Sequence, residues 1–148
     1  MSDADRPLAP AVAPLAYAGL LPFVACVLGI TVLDGEPRQF AVRALVAYGA
    51  VILSFLGAVH WGLLLRATPP RVQWQFVIGV LPSLAAWVAL LLQDRHALAA
   101  LAVAFGVFWL YEHRVAGPDL LPADYLRLRR SLSLAVCSLL ALGLIALG

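Results

Sequence analysis

The sequence predicts an all-α integral membrane bundle of five transmembrane helices, with the N-terminus inside and the C-terminus outside. Five long apolar stretches alternate with short islands that carry the charge. Only 12% of the 148 residues are charged and mean hydropathy is +0.96, which leaves too little polar surface to clothe a soluble domain. The arginines, finally, are divided unequally between the two sets of loops that five spans create, and that asymmetry sets the orientation.

Residues 1–14 carry Asp3, Asp5, Arg6 and three prolines, Pro7, Pro10 and Pro14. That composition suits neither a basic signal peptide nor an Arg-rich transit peptide, and it predicts a short disordered cytoplasmic tail before a single domain at 15–148. A bilayer core about 30 Å thick takes about 20 apolar residues of helix. Span one is expected at Leu15 to Leu33, closed by Asp34-Gly35-Glu36-Pro37. Span two lies between Arg43 and Arg66 and ends at Pro69-Pro70, because proline removes a donor and disfavours helix before it. Span three lies between Arg71 and Asp94, with Pro82 near its middle freeing a carbonyl and kinking the helix. Span four, between Arg95 and Glu112, is the shortest at about 24 Å. Span five begins near Arg130 and runs to the C-terminus.

Arg6, Arg66, Arg71, Arg114, Arg127, Arg129 and Arg130 fall on one side, against Arg38, Arg43 and Arg95 on the other. The positive-inside rule then puts the N-terminus in the cytoplasm. Trp61, Trp74 and Trp109 fit an aromatic belt at that face. All ten basic residues are Arg, a bias that with the abundance of Ala, Leu and Val suggests a GC-rich bacterial genome. The net charge of +2 is small and scattered, which argues against nucleic acid as a partner. Cys26 and Cys137 lie in apolar spans with no second ligand at metal spacing, so they read as buried inert thiols and no metal site is expected.

Ala18-Gly19-Leu20-Leu21-Pro22-Phe23 in span one resembles Ile78-Gly79-Val80-Leu81-Pro82-Ser83 in span three, and Phe55-Leu56-Gly57 before Trp61 echoes Ala104-Phe105-Gly106 before Trp109. A duplicated hairpin and chance in a Gly/Leu/Ala-rich background both account for this.

In span two, Ala50, Ser54, Ala58 and Gly62 recur every four residues as a ridge of small side chains, the device by which membrane helices approach closely. Gly49, Leu53, Leu56, Gly57 and His60 form a second face roughly 130° away, so span two is expected to be the central helix, with two neighbours. His60 lies inside the membrane boundary, where an ionisable group faces protein or water. The expectation is an uncharged hydrogen bond from His60 to another span; the competing reading is a haem or quinone site shared with His113 at the same level. Glu112 at the end of span four opposes the helix dipole and calls for compensation, expected as an ion pair between loops. Tyr125 with Arg127, Arg129 and Arg130 forms a basic, aromatic approach to span five, suited to anionic lipid head groups.

The stretch Tyr48-Gly49-Ala50-Val51-Ile52-Leu53-Ser54-Phe55-Leu56-Gly57-Ala58-Val59-His60-Trp61-Gly62 resembles a family of small bacterial inner-membrane proteins of unknown function that includes the mitochondrial transmembrane protein 69. The resemblance extends to Tyr17-Ala18-Gly19-Leu20-Leu21-Pro22-Phe23, to Gly79-Val80-Leu81-Pro82 and to Leu121-Pro122-Ala123-Asp124-Tyr125-Leu126-Arg127-Leu128-Arg129, with Asp124 departing from the aromatic expected before the tyrosine. It implies fold and location and carries no assigned activity. No nucleophile with a base, intramembrane acid pair or large loop is present in the sequence, so a catalytic role is not expected. The sequence points to an accessory, assembly or lipid-contacting component, partnered by membrane lipids and by another membrane protein or a second copy of itself. The alternatives are a haem- or quinone-binding redox protein using His60 and a small transporter.

Overall fold

The computed structural model describes residues 9–66, 73–116 and 123–148. Among these residues every element is helical, and five helices or helix pairs are long and apolar enough to cross a membrane. The calls on residues 1–8, on Pro69-Pro70 and Arg71, and on Leu121-Pro122 lie outside the described residues.

Span one is two helices in line, α1 (Val12–Ala18) and α2 (Leu21–Val32). The interruption follows from Pro22, which stands in the first turn of α2 and has no N–H to continue the ladder back into α1. The Tyr48 hydroxyl crosses from α3 to donate to the Gly19 carbonyl in the gap, at 3.0 Å, giving that backbone oxygen a partner.

Helix α3 (Gly35–Arg66) begins eight residues before the expected boundary at Arg43. Gly35 makes the turn at φ 60°, and Pro37 sits in the first turn, where a missing N–H breaks no bond, so the proline starts the helix instead of closing the previous loop. At 32 residues α3 is about 48 Å long, more than a bilayer core, and carries Glu36, Arg38 and Arg43 on its own first turns. Arg38 donates from Nε to the Ile30 carbonyl at 3.0 Å and from Nη2 to the Ala146 carbonyl at 2.5 Å. It thereby satisfies the C-terminal ends of two neighbouring helices.

Helix α4 (Gln73–Leu91) passes through Pro82 unbroken, with the proline ring buried against α3. Helix α5 (Asp94–Tyr111) runs on into a π-helical turn at Glu112–Ala116. Span four is therefore 22 residues, Asp94–Val115, about 33 Å long and not the short element that charge spacing suggested, because both expected boundary charges, Arg95 and Glu112, ride inside the helix. Helix α6 (Ala123–Ala146) is span five and starts seven residues earlier than expected, so the basic run lies on the helix itself.

In cross-section α3 packs on α2, α4 and α5, while α6 closes the ring between α5 and α2. Of the apolar window of α3, 44% is buried, against 17–28% in the other spans, so α3 is the central helix as expected. Phe23, Ile30, Leu45, Leu53, Leu98, Leu101, Phe105 and Leu140 form the core. Phe23 meets Tyr48 and Phe105 edge-on with ring centres 5.0 and 6.5 Å apart. Large apolar side chains such as Leu28, Val77, Val103 and Ile145 point outward, as a bundle solvated by lipid requires.

A buried ion pair beside an apolar cleft: the candidate functional site

The small-residue face that carries the packing is not the four-residue ridge. Ala50 is buried and Ser54 half-buried, with its hydroxyl turned back onto the Ala50 carbonyl at 2.9 Å, but Ala58 and Gly62 are exposed. A Cβ on Gly62 would meet nothing within 4 Å. Gly49, Gly57 and His60 face the bundle instead. A Cβ on Gly57 would lie 2.5 Å from the Gly79 carbonyl oxygen, and one on Gly79 would collide with the Trp61 ring, so α3 and α4 touch backbone to backbone. Trp61 fastens the contact by donating from Nε1 to the Phe76 carbonyl at 2.8 Å.

His60 is 1% exposed, as burial against protein predicts, but the expected hydrogen bond to another span is not made by its Nε2 among the described residues. The ring stands edge-on to Phe108 and Tyr111, with centres 5.9 and 5.4 Å away. The Tyr111 hydroxyl and Gln75 Oε1 at this end of the bundle also lack partners among the described residues, as does His113 Nδ1. His113 stacks on Trp109 at 5.5 Å. Neither histidine lines any of the three cavities described for the molecule.

Glu112 and Arg129 are the principal finding. Arg129 Nη2 and Nε donate to Glu112 Oε2 at 2.7 and 3.0 Å, and Nη1 donates to Ser133 Oγ at 3.2 Å. The two side chains are 7% and 3% exposed. The compensation for Glu112 is therefore a buried interhelical pair between the end of α5 and the second turn of α6, not a contact between loops, and Arg129 is turned into the bundle and not onto the exposed surface with Arg127 and Arg130. Two features produce this. The π-helical turn starts at Glu112, at the point where the acid turns inward, and Ser133 stands one turn beyond Arg129 on the same face of α6. Ser133 carried no signal of its own; its spacing of four from Arg129 could have flagged it. Arg127 and Arg130 are exposed, Arg127 pairing with Asp124 at 2.6 Å on the surface.

Tyr125 is half-buried and lines a partly enclosed cleft of about 480 Å³ between α1, α2, α3, α5 and α6. Its apolar part is made by Leu15, Leu20, Phe23, Ile52, Val59 and Val136; Tyr125, Arg129 and Ser133 supply the polar part. Along α6 these residues run from 125 to 136, about 16 Å, with Tyr125, Arg129 and Ser133 one turn apart along that wall and the facing walls from α1, α2 and α3 apolar.

The family described as protein of unknown function (DUF3429) matches residues 8–145. The chain belongs to the DUF3429 family. Transmembrane protein 69 of Xenopus tropicalis is 41% identical over 95 residues, 63% of this chain and 37% of that protein. Transmembrane protein 69 of Mus musculus is 30% identical over 97 residues, again 63% of this chain and 39% of its own length. The chain thus spans well under half the length of these relatives. No solved structure matches. In this DUF3429 chain the motif that carried the resemblance holds structural parts: Tyr48 caps the α1–α2 gap, Gly57 admits α4, and Trp61 fastens it.

Proposed function

We propose that this DUF3429 protein is a lipid-contacting accessory component of a bacterial inner membrane, N-terminus inside, and that the cleft beside α6 receives an apolar chain from the bilayer. The observation that carries the reading is the cleft itself. Its volume of about 480 Å³ falls in the roughly 300–1,000 Å³ range of small-molecule sites. The walls from α1, α2, α3 and α5 are apolar and the polar residues form a strip along α6, so it matches an apolar chain that carries a polar group. An assembly partner or a second copy of the chain would meet the exposed face of α3 at Ala58 and Gly62.

Native mass spectrometry after mild extraction tests the reading. Wild-type protein is expected to carry one lipid-sized adduct that Ala16→Trp, placed in the cleft wall, abolishes, while Leu142→Trp on the exposed face of α6 retains it. An adduct that survives Ala16→Trp, or no adduct from native membranes, would contradict it.

A further inference from the structure

We propose that the occupant of the cleft is an amphipathic lipid whose head is uncharged and bears carbonyl oxygens. The inference rests on the lipid-contacting reading above and names the chemistry of the molecule bound. The head would be held by Ser133, Tyr125 and the unused donors of Arg129.

The charge of the cleft decides the first half. Arg129 is the cation lining the cavity and it is matched one to one by Glu112, whose Oε2 accepts two of its N–H groups. The pair is neutral as a unit, so a charged head placed beside it would be desolvated with no opposite charge to meet it. A carboxylate or phosphate would in addition be repelled by Glu112. An uncharged head incurs neither penalty.

The inventory of donors decides the second half. A guanidinium has five N–H groups, and three are used, one each from Nε, Nη1 and Nη2. Two remain without a partner among the described residues. The Ser133 hydroxyl accepts from Arg129, which leaves its own proton to give, and the Tyr125 hydroxyl stands in the same wall. Donors therefore outnumber acceptors along the α6 strip. A complementary head offers acceptors, and a carbonyl oxygen, with two lone pairs and no proton, is the simplest such group. The tail then lies against Leu15, Leu20, Phe23 and Ile52 on the facing walls. Two kinds of membrane molecule share this chemistry, a glycerolipid with ester carbonyls and a quinone with a prenyl or alkyl tail.

Delipidated full-length protein in detergent is titrated with 1,2-dioleoylglycerol, decylubiquinone, oleate and hexadecane, and adducts are counted by native mass spectrometry. The expected result is that at least one of the two uncharged carbonyl compounds binds about tenfold more tightly than oleate, and the one that does names the source. Ser133→Ala and Tyr125→Phe are each expected to weaken that compound about three- to tenfold while hexadecane is unchanged. Melting of each variant shows whether it is folded, and the two substitutions serve as checks on each other. Oleate binding as tightly as the carbonyl compounds, or a preference that survives both substitutions, overturns the assignment of the head. Loss of all four ligands, hexadecane included, overturns the lipid-contacting reading and this inference with it.

Discussion

Removing Arg129 should destabilise the bundle far more than removing Arg129 and Glu112 together. The 2.7 Å separation corresponds to a gross attraction of about 6 kcal/mol at an effective dielectric of about 20. Most of that attraction offsets the desolvation of two groups that are 7% and 3% exposed, so the pair is worth little against an apolar replacement of similar size. Arg129→Met keeps the desolvation of the carboxylate and discards what offsets it, a loss of about 3–5 kcal/mol. For a chain of this length that is a fall in melting temperature of roughly 6–20 °C, at about 2–4 °C per kcal/mol. The double variant Glu112→Met with Arg129→Met should recover most of the loss, giving a strongly non-additive cycle. Thermal unfolding followed by tryptophan fluorescence in one fixed detergent measures all four corners. A single variant that melts with the wild type, or single losses that add in the double, would refute a buried, mutually dependent pair.

Gly57→Ala is expected to cost about 1–3 kcal/mol by forcing α3 from the Gly79 carbonyl, whereas Gly62→Ala should leave the melting temperature unchanged; equal effects would misplace the contact face. Ala58→Ile, on an exposed position of the same ridge, should likewise be tolerated by the monomer. Tyr48→Phe removes the hydroxyl that serves the Gly19 carbonyl and should cost about 0.5–1.5 kcal/mol, read from the same melting curves. His60→Leu deletes a buried nitrogen that has no partner among the described residues, so stability should change by less than about 1 kcal/mol; a large loss would show that the imidazole is bonded. A cytoplasm-only reporter fused at Gly148 should be silent, and activity there would reverse the topology.

The five spans were legible because lipid imposes one rule, a run of apolar residues between charges, and the chain obeys it. The ends were less legible for the same reason. Charges mark where a span stops only when they lie in loops, and here Glu36, Arg38 and Asp94 sit on the first turns of helices, while Glu112 begins a π-helical turn. Periodicity found both small-residue faces of α3 but could not choose between them, because the choice is made by α4, through the Gly79 backbone and Trp61. Glu112 was rightly marked as needing a cation. Which of the nearby arginines answers it depends on the rotation of α6 about its axis, which places Arg129 inward and Arg127 and Arg130 outward. The cleft had no sequence signal at all, since five helices contribute to it and most of its lining residues are ordinary apolar ones.

The claim that an apolar chain occupies the cleft is tested most directly by photo-crosslinking in native membranes with a lipid carrying a diazirine along its acyl chain, followed by peptide mapping. The account predicts adducts concentrated on Leu20, Ile52, Val59 and Leu132, and their loss in Ala16→Trp. Adducts spread over the outward-facing Leu28, Val77, Val103 and Ile145, with none in the cleft, would contradict it.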